Sequence, residues 1–350
     1  MSFAFALPQR DCLLVGERVT LSSGNPQDAL LDVIILGAGP AGINCALELN
    51  ESKINFLIIE RKSQLGGALA EIPSPIPNLA SGWLDNGKAA QDRLCAIALK
   101  AGLPTVIEEE IIDCNLNEKT LRSATRTYKA RTLFLATGYR LKRLPDNGNF
   151  SKFSNDIVYR SGNQQGDLVG KNIVIIGSGE SAFYEALERA KTARKVTMVN
   201  RSSRYRAGAF LLRQADENER IERIENLEIE SVSGGKSLEE VRFRSTTDGT
   251  IVKFPAEKLI AKIGYTPNTE LFAGQLEMDS TGHIRIGADC ATSVRGVFAG
   301  GDIVTPGFDR LAVAMGHGVI AAKAIASYLN DCTGMVPSTA ANLPRVQKIN

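Results

Sequence analysis

Two segments of the chain share one succession of apolar and polar positions: an uninterrupted apolar stretch, a glycine-rich turn and a helical stretch. The apolar stretches, Asp32 to Leu36 and Asn172 to Ile176, have the composition of central parallel strands that are buried on both faces. The stretches after the turns continue to about Leu49 and Ala190 with helical character. Each is followed by another apolar strand. This order predicts an α/β protein with parallel sheets.

The first turn reads GAGPAG and contains Gly37, Gly39, Pro40, Ala41 and Gly42. Its first glycine permits a tight strand-to-helix turn, the second lets the backbone approach a pyrophosphate, and the third lets the helix pack on the strand. The next strand, Ile54 to Ile59, ends in an acid, Glu60, about 20 residues after the motif, where a carboxylate can accept a ribose hydroxyl. The sequence therefore predicts a dinucleotide site here.

The second turn reads GSGESA, and its three small-residue positions are Gly177, Gly179 and Ala182, with Glu180 and Ser181 between them. The strand after it, Lys195 to Val199, ends in a basic turn instead of an acid. Arginines and hydroxyls can hold the 2′-phosphate of NADP, so this site favours NADPH over NADH. The alternative is a solvated basic surface turn. The polar residues of the turn are Asn200, Arg201, Ser202, Arg204 and Arg206.

Composition narrows the function classes. The 350 residues favour two domains, and 41 Lys and Arg against 39 Asp and Glu give a net charge of +2, which makes nucleic acid an unlikely partner. Six widely spaced cysteines form no Cys-x-x-Cys, and two histidines favour neither a metal site nor a Ser-His-Asp triad. We find no secretory signal and no apolar run near about 20 residues, so we expect a cytoplasmic protein. Redox chemistry has to come from a bound cofactor.

A series of motifs in fixed order resembles the low-molecular-weight thioredoxin reductases and their relatives, the thioredoxin-reductase-type ferredoxin/flavodoxin NADP reductases. The resemblance covers roughly Asp32 to Leu329. Besides the two glycine-rich turns and the basic turn, it rests on RKSQLGGAL after Glu60, IPNLASG at 76–82, LFLATGYR at 133–140, IGYTPNT at 263–269 and VFAGGDI at 297–303.

The resemblance implies a fold of two Rossmann-like three-layer α/β domains in which a NAD(P)H-binding domain, 141–267, interrupts an FAD-binding domain, 31–140 plus 268–350. Residues 1–30 are an N-terminal extension, within which residues 11–21 are predicted to form a short strand pair. The resemblance also implies further FAD-binding positions on the ribose side, at the flavin-facing loop, at the end of the first FAD segment and at the last helix. These are Arg61, Gly66, Gly67, Ala136, Thr137, Gly138, Gly301, Asp302, Leu311 and Ala312.

The chain departs from thioredoxin reductases where their redox-active cysteines lie. The aligned stretch, Val158 to Asp167, contains no cysteine; Arg160, Ser161 and Asn163 stand there instead. The flavin-to-dithiol relay therefore cannot operate as in that family. We expect Cys45 to be a buried core residue and His317 to be structural, and we assign no catalytic side chain.

The resulting hypothesis is an FAD-dependent NADPH oxidoreductase that passes electrons to an external acceptor such as ferredoxin or flavodoxin. Two alternatives stay open: a thioredoxin reductase-like flavoenzyme fed by a protein donor without pyridine nucleotide, and a non-catalytic flavoprotein sensor. By analogy with the family we also expect a homodimer.

Overall fold

The computed structural model describes residues 30–72, 75–160, 168–304, 306–307 and 310–333. The predicted strand pair at 11–21 and the part of the predicted FAD-binding domain beyond residue 333 lie outside these residues. The chain divides into two compact units, one of residues up to 70, 74–139 and from 267 onward, and the other of 71–73 and 140–266.

The strands in chain order are β1 (Leu31–Leu36), β2 (Phe56–Ile59), β3 (Thr105–Val106), β4 (Ile111–Asn115), β5 (Thr120–Ser123), β6 (Thr127–Leu135), β7 (Tyr139–Leu141), β8 (Ile157–Val158), β9 (Asn172–Ile176), β10 (Lys195–Val199), β11 (Ile221–Ile224), β12 (Leu227–Ser233), β13 (Glu240–Ser245), β14 (Ile251–Pro255), β15 (Lys258–Ala261), β16 (Tyr265–Pro267) and β17 (Val297–Ala299). The α-helices are α1 (Pro40–Glu51), α2 (Gly87–Lys100), α3 (Glu180–Ala190), α4 (Ala209–Asp216) and α5 (Leu311–Thr333).

The first unit contains a seven-stranded sheet in the order β3-β2-β1-β6-β5-β4, with β17 also paired to β6. Strands β3, β2, β1, β6 and β17 run parallel, and β4 and β5 continue from β6 as an antiparallel meander. The register pairs Leu36 with Ile59 and with Leu135, and Leu135 with Ala299. Four strands therefore end at one edge of the sheet, and the residues that follow them are brought together.

The second unit repeats this arrangement with a five-stranded parallel sheet in the order β11-β10-β9-β15-β8. Ile176 pairs with Val199 and with Ala261, so these strands also end together. A separate antiparallel sheet, β12-β13-β14, completes the unit. Two parallel-sheet units, the first interrupted by the second, confirm the predicted α/β fold class.

Helix α5 is longer and more apolar than the sequence reasoning allowed. Within the described part of the chain it is the one helix that is long and apolar enough to cross a membrane by length and composition. This is weak evidence for a membrane span, because core helices meet the same criterion. The expectation that no apolar run reaches that length was wrong for this helix. It packs closely on α1: a Cβ added at Gly318 would lie 2.3 Å from the carbonyl oxygen of Ala41. Ala321, Ile325 and Leu329 are buried.

Candidate cofactor-binding sites

The first glycine-rich turn closes on the neighbouring strand end. Gly37 has φ +108°, and a Cβ there would lie 2.3 Å from the carbonyl oxygen of Ala136, so a larger residue does not fit. A Cβ at Gly42 would lie 1.9 Å from the carbonyl oxygen of Gly37. The turn therefore fixes the start of α1 directly against the sheet edge, as the glycine pattern predicts.

The N-terminus of α1 is suited to an anion. Gly39 is the N-cap and Pro40 is the first helical residue, and no side chain caps the first turn. The helix start consequently presents backbone N–H groups and the positive end of the helix dipole. A Cβ on Gly67 would come within 3.1 Å of the Cα of Gly39, so two bare backbone segments face each other here. This cradle fits the pyrophosphate of FAD.

Glu60 is buried at the end of β2 and is held by two backbone N–H groups. Its Oε2 accepts from Ala38 at 2.8 Å and its Oε1 from Lys62 at 2.9 Å. Each carboxylate oxygen keeps a further lone pair, which is what ribose recognition requires. Arg61 beside it is exposed. Sequence reasoning missed Lys62, whose Nζ donates to the carbonyl of Gly67 at 3.0 Å.

The flavin-facing loop of the prediction, Gly66 and Gly67, is anchored from two sides. The N–H of Gly66 donates to the carbonyl of Ala38 at 2.8 Å. Gln91 on α2 donates from Nε2 to the carbonyl of Leu65 at 2.6 Å, while its Oε1 is buried without a hydrogen-bond partner. Sequence reasoning missed Gln91 because nothing in the sequence connects it to this loop.

Thr137, at the end of the first segment of the predicted FAD-binding domain, is hydrogen-bonded to Asn268, at the start of the second segment. Thr137 donates its hydroxyl to the carbonyl of Asn268 at 2.6 Å, and the Asn268 amide donates to the carbonyl of Thr137 at 2.9 Å. The N–H of Asn268 also donates to the carbonyl of Gly138 at 2.9 Å. Asn268 lies in the IGYTPNT motif, which is the signal that could have identified it.

The GGD segment, which includes Gly301 and Asp302, follows β17 at the same sheet edge. The N–H of Gly301 donates to Nδ1 of His317 at 3.2 Å, which requires a neutral imidazole with its proton on Nε2. Burial lowers the pKa of His317, which favours this neutral form. The contact ties His317 on α5 to the GGD segment, and its structural role stays a prediction. Helix α5 begins at Leu311, with Ala312 exposed.

The second unit carries a similar turn at its own sheet edge. Gly177 has φ +145°, and a Cβ there would lie 2.4 Å from the carbonyl oxygen of Lys262. Gly179 is the N-cap of α3, again without a side-chain cap, but the first turn carries the carboxylate of Glu180. Both Glu180 and Ser181 are exposed. This helix start differs from that of α1 by a negative charge.

The basic turn is organised by Asn200, whose buried side chain donates to the carbonyls of Ser202 at 2.6 Å and Arg204 at 3.0 Å. The N–H of Arg206 donates to the carbonyl of Ser178 at 2.8 Å, which ties the turn to the glycine-rich turn. The guanidinium of Arg206 lies beside Gly179, and Arg201 is exposed. Exposed guanidinium groups next to a helix N-terminus fit the phosphates of NADPH.

A buried ionic cluster supports this sheet edge and was also missed. Glu185 on α3 accepts from Nε of Arg189 at 2.8 Å, and its other oxygen lies 3.2 Å from Nζ of Lys262. All three side chains are at most 8% exposed. The cluster fixes the residue whose carbonyl packs on Gly177.

Two predicted features remain, namely Cys45 and the stretch aligned with the missing dithiol. Cys45 is fully buried, as expected, and burial raises its pKa well above the usual value, so its thiol is not poised to react. Of the stretch aligned with the missing dithiol, Ser161 and Asn163 lie outside the described residues, and Arg160 is exposed. Within the described residues there is no group of three or more metal-ligating side chains.

Comparison with known proteins agrees with this geometry. The family of pyridine nucleotide-disulphide oxidoreductases matches residues 31–318. A thioredoxin reductase of Mycolicibacterium smegmatis is 30% identical over 294 residues, 83% of this chain and 94% of its own length. A 34.2 kDa protein in the rubredoxin operon of Clostridium pasteurianum is 27% identical over 87% of this chain and 98% of its own.

Among solved structures, thioredoxin reductase of Lactococcus lactis has a TM-score of 0.76 at 21% identity and covers 86% of this chain and 99% of its own length. At that identity the likeness concerns the fold alone. Together with the sequence relatives, it shows that both units of this chain have counterparts in thioredoxin reductases.

Proposed function

Since the chain belongs to the pyridine nucleotide-disulphide oxidoreductase family and is an FAD-dependent oxidoreductase of the thioredoxin reductase type that uses FAD and NADPH, we propose that it passes electrons from NADPH through FAD to an external protein acceptor such as ferredoxin or flavodoxin. One observation carries the choice of acceptor. The sequence has no Cys-x-x-Cys motif, so the electrons have no dithiol of the thioredoxin reductase type to pass through. A relative in a rubredoxin operon supports a small redox protein as the acceptor class.

The side chains of this protein bind and orient in such a reaction and need not act as acids or bases. Bound FAD supplies the exchange between two-electron hydride transfer and one-electron delivery. The α1 cradle and Glu60 hold the dinucleotide, while the basic turn selects the 2′-phosphate. The positive N-terminus of α5 stabilises negative charge near it. On this proposal every predicted position of the two sites is a binding position.

The first test is an anaerobic titration of the purified protein with NADPH and, separately, NADH, following the absorbance of the oxidised flavin. We expect NADPH to bleach the flavin at much lower concentration than NADH. The Arg201→Ala variant is expected to need about tenfold more NADPH or higher, because a charge-assisted hydrogen bond contributes roughly 1.5–3 kcal/mol. Arg213→Ala, an exposed arginine on α4, is the control and should titrate like wild type.

A flavin that neither nucleotide bleaches contradicts the proposal. That result supports the second candidate function, a flavoenzyme reduced by a protein donor. The observation in its favour is Glu180, because its carboxylate lies in the first turn of α3, where a pyrophosphate would meet it with like charge. Reduction of the flavin by dithionite-reduced ferredoxin, but not by NADPH, would identify this case. A flavin that neither of them reduces would leave the non-catalytic sensor.

The oligomeric state, the domain boundaries and the location in the cell stay predictions. A homodimer is expected from the resemblance, and size-exclusion chromatography with light scattering measures it directly.

A further inference from the structure

Gln91 places a polar amide on the buried face of helix α2. Its side chain is only 5% exposed. The other buried residues of this helix are small or apolar, and they are Gly87, Ala90, Leu94, Cys95 and Ala98. An apolar side chain would complete this face, so the amide of Gln91 requires an explanation outside the packing of the helix.

The Gln91 side chain lies directly against the loop of residues 65–67. Its Nε2 donates to the carbonyl of Leu65 at 2.6 Å, and a Cβ added at Gly66 would lie 2.6 Å from its Cγ. The thiol of Cys95, one turn further along α2, is a second and weaker donor to the same carbonyl at 3.7 Å. Helix α2 therefore holds this loop by a hydrogen bond and by close packing on its backbone.

The loop that is held in this way forms one side of the predicted FAD cradle. The N–H of Gly66 donates to the carbonyl of Ala38 in the glycine-rich turn at 2.8 Å. A Cβ added at Gly67 would lie 3.1 Å from the Cα of Gly39, the N-cap of α1. A shift of the loop backbone would consequently change the space between the two bare backbone segments that fit a pyrophosphate.

The second polar atom of Gln91 indicates that the amide serves the loop. Its Oε1 is buried and has no hydrogen-bond partner among the described residues. A buried acceptor without a donor is destabilising. Methionine has a similar length and would fill the position without that oxygen. Packing of the core therefore favours methionine, whereas the hydrogen bond to the Leu65 carbonyl requires the N–H of an amide.

We propose that Gln91 is a positioning residue for FAD binding, whose amide sets the backbone of residues 65–67 against the glycine-rich turn. It acts through the loop, by fixing the support of the site so that the cradle keeps the width that the dinucleotide needs. This inference rests on the assignment of the first unit to FAD and is independent of which protein accepts the electrons.

The test measures the Kd for FAD by diluting the full-length holoprotein and following the fluorescence of the released flavin. In Gln91→Glu a carboxylate oxygen replaces the N–H and faces the Leu65 carbonyl, so Kd should rise about tenfold or more near pH 9. Burial raises the pKa of a carboxyl group, and the protonated form again has a donor for that carbonyl. The Kd of Gln91→Glu relative to wild type should therefore fall toward one near pH 6.

Two further variants separate positioning of the loop from general stability. Gln91→Met removes both polar atoms at similar length; its Kd should rise about tenfold, with the pH dependence of wild type. The matched control is Gln275→Glu, because Gln275 also binds backbone in the first unit. Its Nε2 donates to the carbonyl of Cys114 at 3.1 Å, and its Oε1 accepts from the N–H of Leu116 at 2.9 Å. Strand β4, which ends at this contact, is separated from β2 by three strands, so Gln275→Glu should leave Kd unchanged at either pH.

The possible failures are distinguishable. Equal Kd values in wild type and Gln91→Met overturn the proposal, and so does a Kd ratio of Gln91→Glu to wild type that does not change with pH. A Gln275→Glu variant that weakens FAD binding as much as Gln91→Glu would show general destabilisation instead. Failure of Gln91→Met to fold would show that the side chain serves the core, which also overturns the proposal. If wild type itself retains no FAD, the assignment of the first unit to FAD has failed, and this inference fails with it.

Discussion

Replacing Gly318 by alanine tests the close contact between α1 and α5. A Cβ there would lie 2.3 Å from the carbonyl oxygen of Ala41 and 2.8 Å from the backbone nitrogen of Cys45. Both neighbours are backbone atoms, so the helices have to separate. Gly316 lies two residues earlier on the same helix, where an added Cβ would meet nothing within 4 Å. The two positions form a matched pair.

The magnitude follows from the difference between the two variants. Alanine replaces glycine in a helix in both, so the intrinsic gain of about 0.5–1 kcal/mol cancels. What remains is the overpacking cost at Gly318, typically about 1–3 kcal/mol. For a unit of this size, 1 kcal/mol corresponds to roughly 2–4 °C in Tm. We therefore expect Gly318→Ala to melt about 2–12 °C below Gly316→Ala.

The assay is thermal unfolding followed by circular dichroism at one fixed FAD concentration, since bound ligand raises the apparent stability. FAD content after gel filtration is the second readout. Displacing α1 also displaces the helix start that holds the pyrophosphate, so Gly318→Ala should lose flavin while Gly316→Ala retains it. Equal melting temperatures and equal flavin content in both variants would refute the close packing described here.

Three other outcomes follow from the sites. Glu185→Gln should lower the free energy of unfolding, measured by urea titration, by about 3–5 kcal/mol, because the variant removes the carboxylate that Arg189 and Lys262 share. The control is Glu188→Gln, which removes one member of the exposed ion pair with Lys191 and should change the free energy of unfolding by less than about 0.5 kcal/mol. Because burial lowers the pKa of His317, the free energy of unfolding should fall as the pH decreases below 6.5, the usual pKa of histidine. The variant His317→Asn should remove that pH dependence, since its amide oxygen can replace Nδ1 as the acceptor for the N–H of Gly301. NADPH titration of the flavin should become less salt-sensitive in Arg201→Ala than in wild type, and identical salt responses would argue against a phosphate contact.

The sequence predicts those parts of the sites that depend on local order along the chain. Strand, glycine turn and helix follow one another directly, so the positions of Gly37, Glu60 and Gly177 at strand ends could be inferred. The register of parallel strands then brings their ends together without further information. The fold class was predictable for the same reason, because short apolar strands alternate with helical stretches.

Other features depend on partners that are distant in sequence, and no local pattern predicts them. Gln91 holds the loop before Gly66 from a helix 26 residues away, and Asn268 binds Thr137 across 131 residues. The ion pair between Glu185 and Lys262 depends on which strand follows β9 in the sheet. Such contacts follow from sheet order and helix packing, which the motifs do not specify.

The N-termini of α1 and α3 differ in charge, and this difference bears on the roles proposed for them in nucleotide binding. At α1, no acid lies in the first turn, and the backbone cradle of Gly39 and Gly67 lets a pyrophosphate approach closely. At α3, Glu180 places a negative charge in the first turn, which stabilises the helix itself but opposes an incoming phosphate. The attraction at the second site consequently comes from the basic turn, whose exposed guanidinium groups are well screened by salt and water. On the proposed assignment, the first site is built to retain its nucleotide and the second to exchange it, which is what an enzyme with a resident flavin and a consumed nicotinamide nucleotide requires.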